Sequence, residues 1–326
     1  MPRGLGRSAA SLLALAALGC AHQPAARARP GGFVAVVLGA SGGLDEGDLT
    51  SILLAPEGSA DFVALDAGTL THGERVAGGG LLAHVPAILV SHAHLDHLAG
   101  LVIHSAERKD KATVLGLAPA LDALRDHLFN WTIWANFTDE GVAPRLGLFH
   151  LARLAPGVAT HLDRPALDVT ALPLSHGSAH GEPVTSTAFL VRSPTAAALY
   201  LGDTGPDAVE GGERLLEVWR VAAPLVRAGT LRAIFIECSY PDGRPDHKLY
   251  GHLTPAHLVA ELGRLAALVD AAAPERALGD VTVVVTHIKP ALDGSDTRGR
   301  IAAELAARNR LGLRLIVPRQ GQRLAF

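Results

Sequence analysis

The chain has 326 residues, of which 48% are hydrophobic and 19% charged, and its net charge is −3. That is ample apolar surface for a packed core, and no composition shift or linker divides the chain beyond its first thirty residues, so it reads as one domain. Lys and Arg are scattered without a basic block, which excludes a nucleic-acid polymer as the expected partner. A small phosphate substrate is not excluded, because a bound metal can supply local positive charge.

At the N-terminus, Arg3 and Arg7 precede an uncharged apolar stretch from Ala9 to Gly19. It is too short to span a bilayer and has the size of a signal-peptide core. It ends in Ala17-Leu18-Gly19-Cys20. Small residues before a Cys resemble the lipobox of bacterial lipoproteins, in which cleavage precedes the Cys and its thiol is lipidated. Ala17 departs from that pattern, which favours Leu there, and a plain signal peptide with an incidental Cys is the alternative. The resemblance implies a signal peptide over 1–19, a flexible tether over 20–31 and a functional domain over 32–326. It further implies export to the periplasm and membrane anchoring through Cys20. The outer membrane is favoured, since Ala21 lacks the negative charge that retains some lipoproteins at the inner membrane. Cys238 is the one other cysteine. It ends an apolar run and reads as a small buried core residue. A cluster of cysteine ligands is excluded, so any metal must be held by His and carboxylate.

Along the domain, Phe33 to Leu38 and Phe62 to Leu65 read as strands, the second followed by Asp66-Ala67-Gly68-Thr69. Ala87 to Val90 runs into a histidine cluster, and Leu167 to Leu174 into Ser175-His176-Gly177. Thr187 to Val191 and Ala197 to Leu201, with the turn-forming Ser193-Pro194 between them, read as a hairpin that ends at Gly202-Asp203-Thr204. Arg232 to Ile236 leads to Glu237, and Val281 to Val285 leads to His287. Helical periodicity covers Pro255 to Val269, with Thr254 as N-cap and Pro255 in the first helical position, and again Arg298 to Arg310. Strands alternate with helices, so the class is α/β. His92, His176, Asp203, Glu237 and His287 each fall just past a predicted strand. Loops at one sheet edge can converge on a single site.

His92, His94, Asp96 and His97 place four ligand-type side chains within six residues, directly after an apolar strand. A tight turn can point alternate residues to different sides, so one loop can serve two metals. Imidazole and carboxylate suit Zn²⁺ first, with Mn²⁺ or Fe²⁺ as alternatives. Isolated histidines such as His72, His84, His104, His127, His150, His161, His180, His247 and His257 carry no such signal and read as ordinary polar residues.

The His-x-His-x-Asp-His loop resembles that of the metallo-β-lactamase superfamily, with His176, Asp203 and His287 following in that family's order. The resemblance implies an αββα sandwich with a dinuclear site at one edge. It assigns His92, His94 and His176 to one metal, Asp96, His97 and His287 to the other, and Asp203 to the bridge. It gives Asp66 a supporting role through hydrogen bonds. A narrower similarity, to the class II cyclic-nucleotide phosphodiesterases, rests on the stretch from His92 to Ala106 and on four further segments: Phe129-Asn130-Trp131-Thr132-Ile133-Trp134, Ile236-Glu237-Cys238-Ser239-Tyr240, Leu249-Tyr250-Gly251-His252-Leu253-Thr254-Pro255 and Thr286-His287-Ile288-Lys289-Pro290. It spans about Gly32 to the C-terminus.

That similarity implies hydrolysis of 3′,5′-cyclic AMP or cyclic GMP to the 5′-nucleotide. Two divalent metals roughly 3.5–4 Å apart can hold a hydroxide between them and neutralise charge on the phosphoryl oxygens. Asp96 then belongs both to the metal set and to the catalytic set. Glu237 and His252 resemble a pair that assists phosphodiester cleavage in related enzymes. A carboxylate orients an imidazole and favours its protonated form. The alternative for His252 is a mere cap on the helix that starts after Thr254. Two other functions compete: another hydrolase of the same superfold (a different phosphodiesterase, a lactonase or a β-lactamase), and a surface-tethered nucleotide- or metal-binding protein without activity. Trp131, Trp134 and Phe137 are candidates for stacking on a base or for the core. The oligomeric state is left open.

Overall fold

The computed structural model describes residues 31–179 and 182–326. The leader, Cys20 and most of the expected tether lie outside these residues, as does His180. Strand β1 (Phe33–Gly39) is followed by β2 (Ser51–Pro56), β3 (Val63–Leu65), helix α1 (Thr71–Ala77), β4 (Ala87–Val90), α2 (Leu95–His104), β5 (Ala112–Gly116), α3 (Ala118–Ala123) and β6 (Phe149–Arg153). Then come β7 (Ala159–Leu162), β8 (Leu167–Ala179), β9 (Glu182–Arg192), β10 (Ala197–Leu201), α4 (Asp207–Glu210), α5 (Arg214–Arg227) and β11 (Leu231–Glu237). The chain closes with α6 (Pro255–Val269), β12 (Thr282–Thr286), α7 (Thr297–Arg308), β13 (Arg314–Ile316) and β14 (Arg323–Ala325).

Among the described residues the strands form two seven-stranded sheets, ordered β14-β1-β2-β3-β4-β5-β6 and β13-β12-β11-β10-β9-β8-β7. Each sheet is half parallel: β3 to β6 in the first and β10 to β13 in the second. The strands are apolar on both faces because both faces are covered. Phe33, Ala35 and Val37 of β1 point between the sheets, where they meet Val169, Phe189, Tyr200 and Phe235. Val36 and Leu38, one residue out of phase, face outward to Leu98 and Leu101 of α2 and Leu121 of α3. On the other side α5, α6 and α7 cover the second sheet with Trp219, Leu262 and Ile301. The result is four layers in the order helix, sheet, sheet, helix. Each fully buried Leu, Ile, Val or Phe in them contributes about 1.5–3 kcal/mol.

The sheet geometry has a direct consequence for function. The parallel strands β3, β4, β10, β11 and β12 all end at one edge of the sandwich. Loops at the carboxyl ends of parallel strands form the natural crevice of such sheets. Asp66, His92, Asp203, Glu237 and His287 sit at these five strand ends.

Candidate active site

The local backbone explains how one short loop presents four polar side chains. After β4 the chain stays extended through His94, the N-cap of α2 (φ −69°, ψ 147°), and Asp96 and His97 occupy the first helical turn. Extended backbone and then helix send His92, His94, Asp96 and His97 to different sides of one point.

His176 arrives differently from the sequence expectation. It does not follow a finished strand: β8 continues to Ala179, and His176 lies inside it at a bulge. The register passes from Ser175 opposite Thr185 to Ser178 opposite Pro183, so His176 and Gly177 together stand opposite one residue of β9, and the one extra residue bends the strand. Period-2 alternation cannot announce a bulge, so the sequence pattern ends the strand at Leu174. The loop before α6 then packs on the bulge so closely that a Cβ on Gly251 would lie 2.4 Å from the Gly177 nitrogen. His287 follows β12 with φ 57°, a conformation few non-glycine residues adopt, and a Cβ on Gly42 would lie 2.5 Å from its ring.

The structure brings all seven expected ligands together. Asp203 Oδ2 lies 3.8 Å from His92 Nε2, 3.7 Å from His176 Nε2, 3.3 Å from His97 Nε2 and 3.1 Å from His287 Nε2. His94 Nδ1 faces His176 Nε2 at 3.2 Å, and Asp96 Oδ2 faces His287 Nε2 at 3.1 Å. One carboxylate oxygen thus stands between two clusters, His92 with His94 and His176, and Asp96 with His97 and His287. Nε2 of His92 and of His97 are buried without a hydrogen-bond partner. Buried nitrogens left unpaired at such proximity cost free energy unless something accepts their lone pairs. The donor set fits two divalent cations.

The outward nitrogens of four of these imidazoles are each held. His92 Nδ1 meets Ser91 Oγ at 3.0 Å, His97 Nδ1 meets Asp66 Oδ2 at 2.7 Å, His176 Nδ1 meets the Gly251 carbonyl at 2.8 Å and His287 Nδ1 meets Ser239 Oγ at 3.0 Å. Each contact fixes the ring and leaves the other nitrogen facing the centre, the arrangement expected around a metal. Asp66 also accepts from the Ser91 amide at 2.7 Å, Ser91 Oγ at 2.6 Å and Tyr200 OH at 2.5 Å.

Charge is concentrated here. Burial alone would raise the Asp203 carboxyl, but the His287 and His97 imidazoles overcome it and hold the group well below its ordinary range. Burial works against a charged His97 too, yet Asp203 and Asp66 raise it well above its usual value. Burial, only partly offset by Asp203, pushes His176 down to about 4.

Glu237 and His252 border this centre. His252 Nδ1 lies 2.7 Å from Glu237 Oε1. The same carboxylate accepts from the amides of Thr204 (3.1 Å), Ser239 (3.1 Å) and Leu253 (3.3 Å) and from Ser239 Oγ (2.7 Å). His252 is 3% exposed and its ring stacks on that of His287 at 5.3 Å. It does not cap α6, and neither does the Thr254 side chain, whose hydroxyl instead meets His257 Nδ1 at 2.9 Å.

Several sequence candidates lie elsewhere. The segment with Trp131, Trp134 and Phe137 enters β6 at its amino end, opposite the metal edge. Trp134 Nε1 donates to Ser105 Oγ beyond the far end of α2, and Trp134 and Phe137 pack on the outer core. Cys238 is fully buried against the outer core, and burial raises its thiol well above the usual range. His150 and His161 pair with Asp139 and Asp168 at the surface. Sequence reasoning missed Ser91, Tyr200 and Ser239 as supporting residues.

The family model of the class-II cAMP phosphodiesterases matches residues 80–321. The chain belongs to this family. A 3′,5′-cyclic-nucleotide phosphodiesterase of Aliivibrio fischeri is 36% identical over 321 residues, covering 92% of this chain and 94% of that one. Among solved structures, unliganded yeast PDE1 superposes with a TM-score of 0.78 at 25% identity, over 91% of this chain and 100% of that one. The metallo-β-lactamase fold protein YhfI of Bacillus subtilis superposes with a TM-score of 0.61 at 14% identity, over 90% and 98%. The four-layer sandwich of this class-II family member is therefore the metallo-β-lactamase fold. Residues 80–321 include His92 through His287 and the Glu237–His252 pair.

Proposed function

We propose that this chain hydrolyses 3′,5′-cyclic AMP and cyclic GMP to the 5′-nucleotides, with two divalent cations held as the clusters above suggest, Zn²⁺ being the first choice for such imidazole and carboxylate donors. The observation that carries the reading is the Glu237–His252 pair at 2.7 Å on the border of a complete seven-residue ligand set. Bound cations would lower the pKa of water to near neutrality and neutralise charge on the phosphoryl oxygens.

The chain's own residues supply the rest. Asp203 sets the spacing of the two clusters, and Asp66, Ser91 and Ser239 fix the rings around it. Water adds to phosphorus and the bond from phosphorus to O3′ breaks, so O3′ needs a proton. Glu237 engages Nδ1 of His252 and leaves Nε2 as the ring atom that delivers that proton. A lactone or β-lactam needs no such donor for a ribose oxygen, which supports the phosphodiesterase reading over those alternatives. Turnover of the purified, metal-loaded protein on cyclic AMP, cyclic GMP, a linear phosphodiester and a β-lactam tests the proposal. Preference for the β-lactam, or none for the cyclic substrates, overturns it.

Export and anchoring form the second part. Arg3, Arg7, the apolar stretch from Ala9 and Cys20 support a periplasmic lipoprotein held at the membrane through Cys20. Mass spectrometry of the mature protein should find a lipidated Cys20 at its start. An intact Met1 overturns export, and cleavage elsewhere with an unmodified Cys20 overturns the anchor alone.

A further inference from the structure

A line of side chains leads away from His252 towards solvent. The Tyr240 ring meets the His252 ring edge-on at 5.7 Å. The Arg244 guanidinium lies 3.7 Å over the Tyr240 ring and 5.7 Å from the Tyr250 ring, and its Nε donates to the Lys248 carbonyl at 2.5 Å. Lys289 Nζ also stands 5.7 Å from the Tyr240 ring. A Cβ on Gly43 would lie 3.7 Å from Lys289 Nζ and 3.8 Å from Asp96 Oδ2, so the ammonium and the Asp96 carboxylate border the same point.

Tyr250 is unusual within this group. It is 65% exposed, so burial returns little for its ring, and its φ of 53° is one that side-chain-bearing residues adopt at a cost. Three of the four non-glycine residues with positive φ among the described residues, Asp66, His287 and Tyr250, border the site. Strain held by an exposed aromatic residue at the mouth of a site marks a position with work to do beyond packing.

The geometry points to Tyr240, Arg244 and Tyr250 as the platform on which the purine base rests, with Lys289 taking a phosphoryl oxygen. This rests on the cyclic-nucleotide reading of the site. With the phosphate over the two clusters and O3′ at His252, the sugar and base extend along the line from His252 to Tyr240, Arg244 and Tyr250. Aromatic faces and a guanidinium plane hold a base by stacking, which any purine satisfies. Cyclic AMP and cyclic GMP are therefore accepted alike, and the positively charged Lys289 acts on every phosphodiester.

Two substrates separate these roles: the cyclic nucleotides, and methyl 4-nitrophenyl phosphate, which has no base. Tyr250→Ala in the full-length metal-loaded protein should raise KM for cyclic AMP and cyclic GMP by about 10-fold or more, the scale of one stacked base. Its effect on the base-free ester should be at least several-fold smaller. Tyr250→Phe keeps the ring and should restore KM for the nucleotides. Lys289→Ala should lower kcat/KM on both kinds of substrate to a similar extent. Equal losses on both substrates for Tyr250→Ala, no loss on either, or a Tyr250→Phe enzyme as impaired as Tyr250→Ala overturns the platform. A wild-type enzyme that turns over the ester but no cyclic nucleotide removes the functional reading and the platform with it. A wild type active on cyclic nucleotides with unselective variants removes the platform alone.

Discussion

Replacing His252 by Ala separates proton delivery from metal binding. The substitution takes away the imidazole at 2.7 Å from Glu237, but the carboxylate keeps four other donors, from Thr204, Ser239 (two) and Leu253. The Glu237 carboxylate stays hydrogen-bonded but loses its imidazole partner, so the protein should fold with a loss of stability of up to about 3–5 kcal/mol, the scale of a broken buried pair. His252 is outside both the His92–His94–His176 and the Asp96–His97–His287 cluster, and metal analysis of the variant should find two cations. Its rate on cyclic AMP should nonetheless fall by roughly 10²–10⁴-fold, the usual contribution of a positioned general acid. At about 1.36 kcal/mol per tenfold this is about 2.7–5.4 kcal/mol of transition-state stabilisation. The deficit should shrink for a nucleoside 4-nitrophenyl phosphodiester, because a nitrophenolate departs without a proton. The assay is single-turnover hydrolysis of the two substrates by wild type and variant at matched metal content. An equal deficit on both, with two metals bound, would falsify the general-acid role and leave substrate positioning. Loss of metal would instead mean that His252 is a ligand.

Three other perturbations address the support around the site. Ser239→Ala removes the hydroxyl that meets both Glu237 and His287 Nδ1; metal affinity should fall about 10- to 100-fold, as for other residues that orient a ligand, and a competition titration with a fluorescent chelator measures it. Tyr200→Phe deletes the donor to Asp66 Oδ2; hydrogen bonds to charged groups contribute about 1.5–3 kcal/mol, so denaturant unfolding should show a loss of that size, and an unchanged midpoint counts against the role given to Tyr200. Exhaustive chelation should abolish activity and lower Tm, since cations that bind only the folded state stabilise it; full turnover in a verified metal-free sample overturns the metal dependence.

How much of this was legible in the sequence depended on whether the signal was local. Ala87 to Val90 and Pro255 to Val269 are found with the bounds read from the sequence, because an apolar run that enters a ligand loop and a helix with Pro at its first position are each marked by adjacent residues. The seven candidate ligands stand near the ends of apolar runs, but their assignment to one site comes from the resemblance to the metallo-β-lactamase superfamily. The bulge at His176 was not legible, since it depends on how β8 pairs with β9. Nor was the role of Ser239 or Tyr200. Their partners, His287 and Asp66, are 48 and 134 residues away in sequence, and a serine or a strand tyrosine has no pattern that distinguishes a supporting donor from an ordinary buried polar group.

Those long-range contacts also explain how a site split between two sheets stays in register. His92, His94, Asp96 and His97 come from the first sheet, whereas His176, Asp203 and His287 come from the second. Hydrophobic contact between the sheets is non-directional and tolerates sliding; a dinuclear centre does not, because metal–ligand distances are fixed within a few tenths of an ångström. Asp66, at the end of β3, binds His97 of its own sheet and, at 2.5 Å, Tyr200 of β10 in the other. Its carboxylate is fully buried and receives four donors, so it cannot shift without leaving one of them unpaired. Asp203 follows β10 by two residues, so the strand that Tyr200 pins to Asp66 is the one that carries the carboxylate proposed to bridge the two clusters. A residue outside the proposed ligand set thereby sets the distance between the two halves of the candidate metal site.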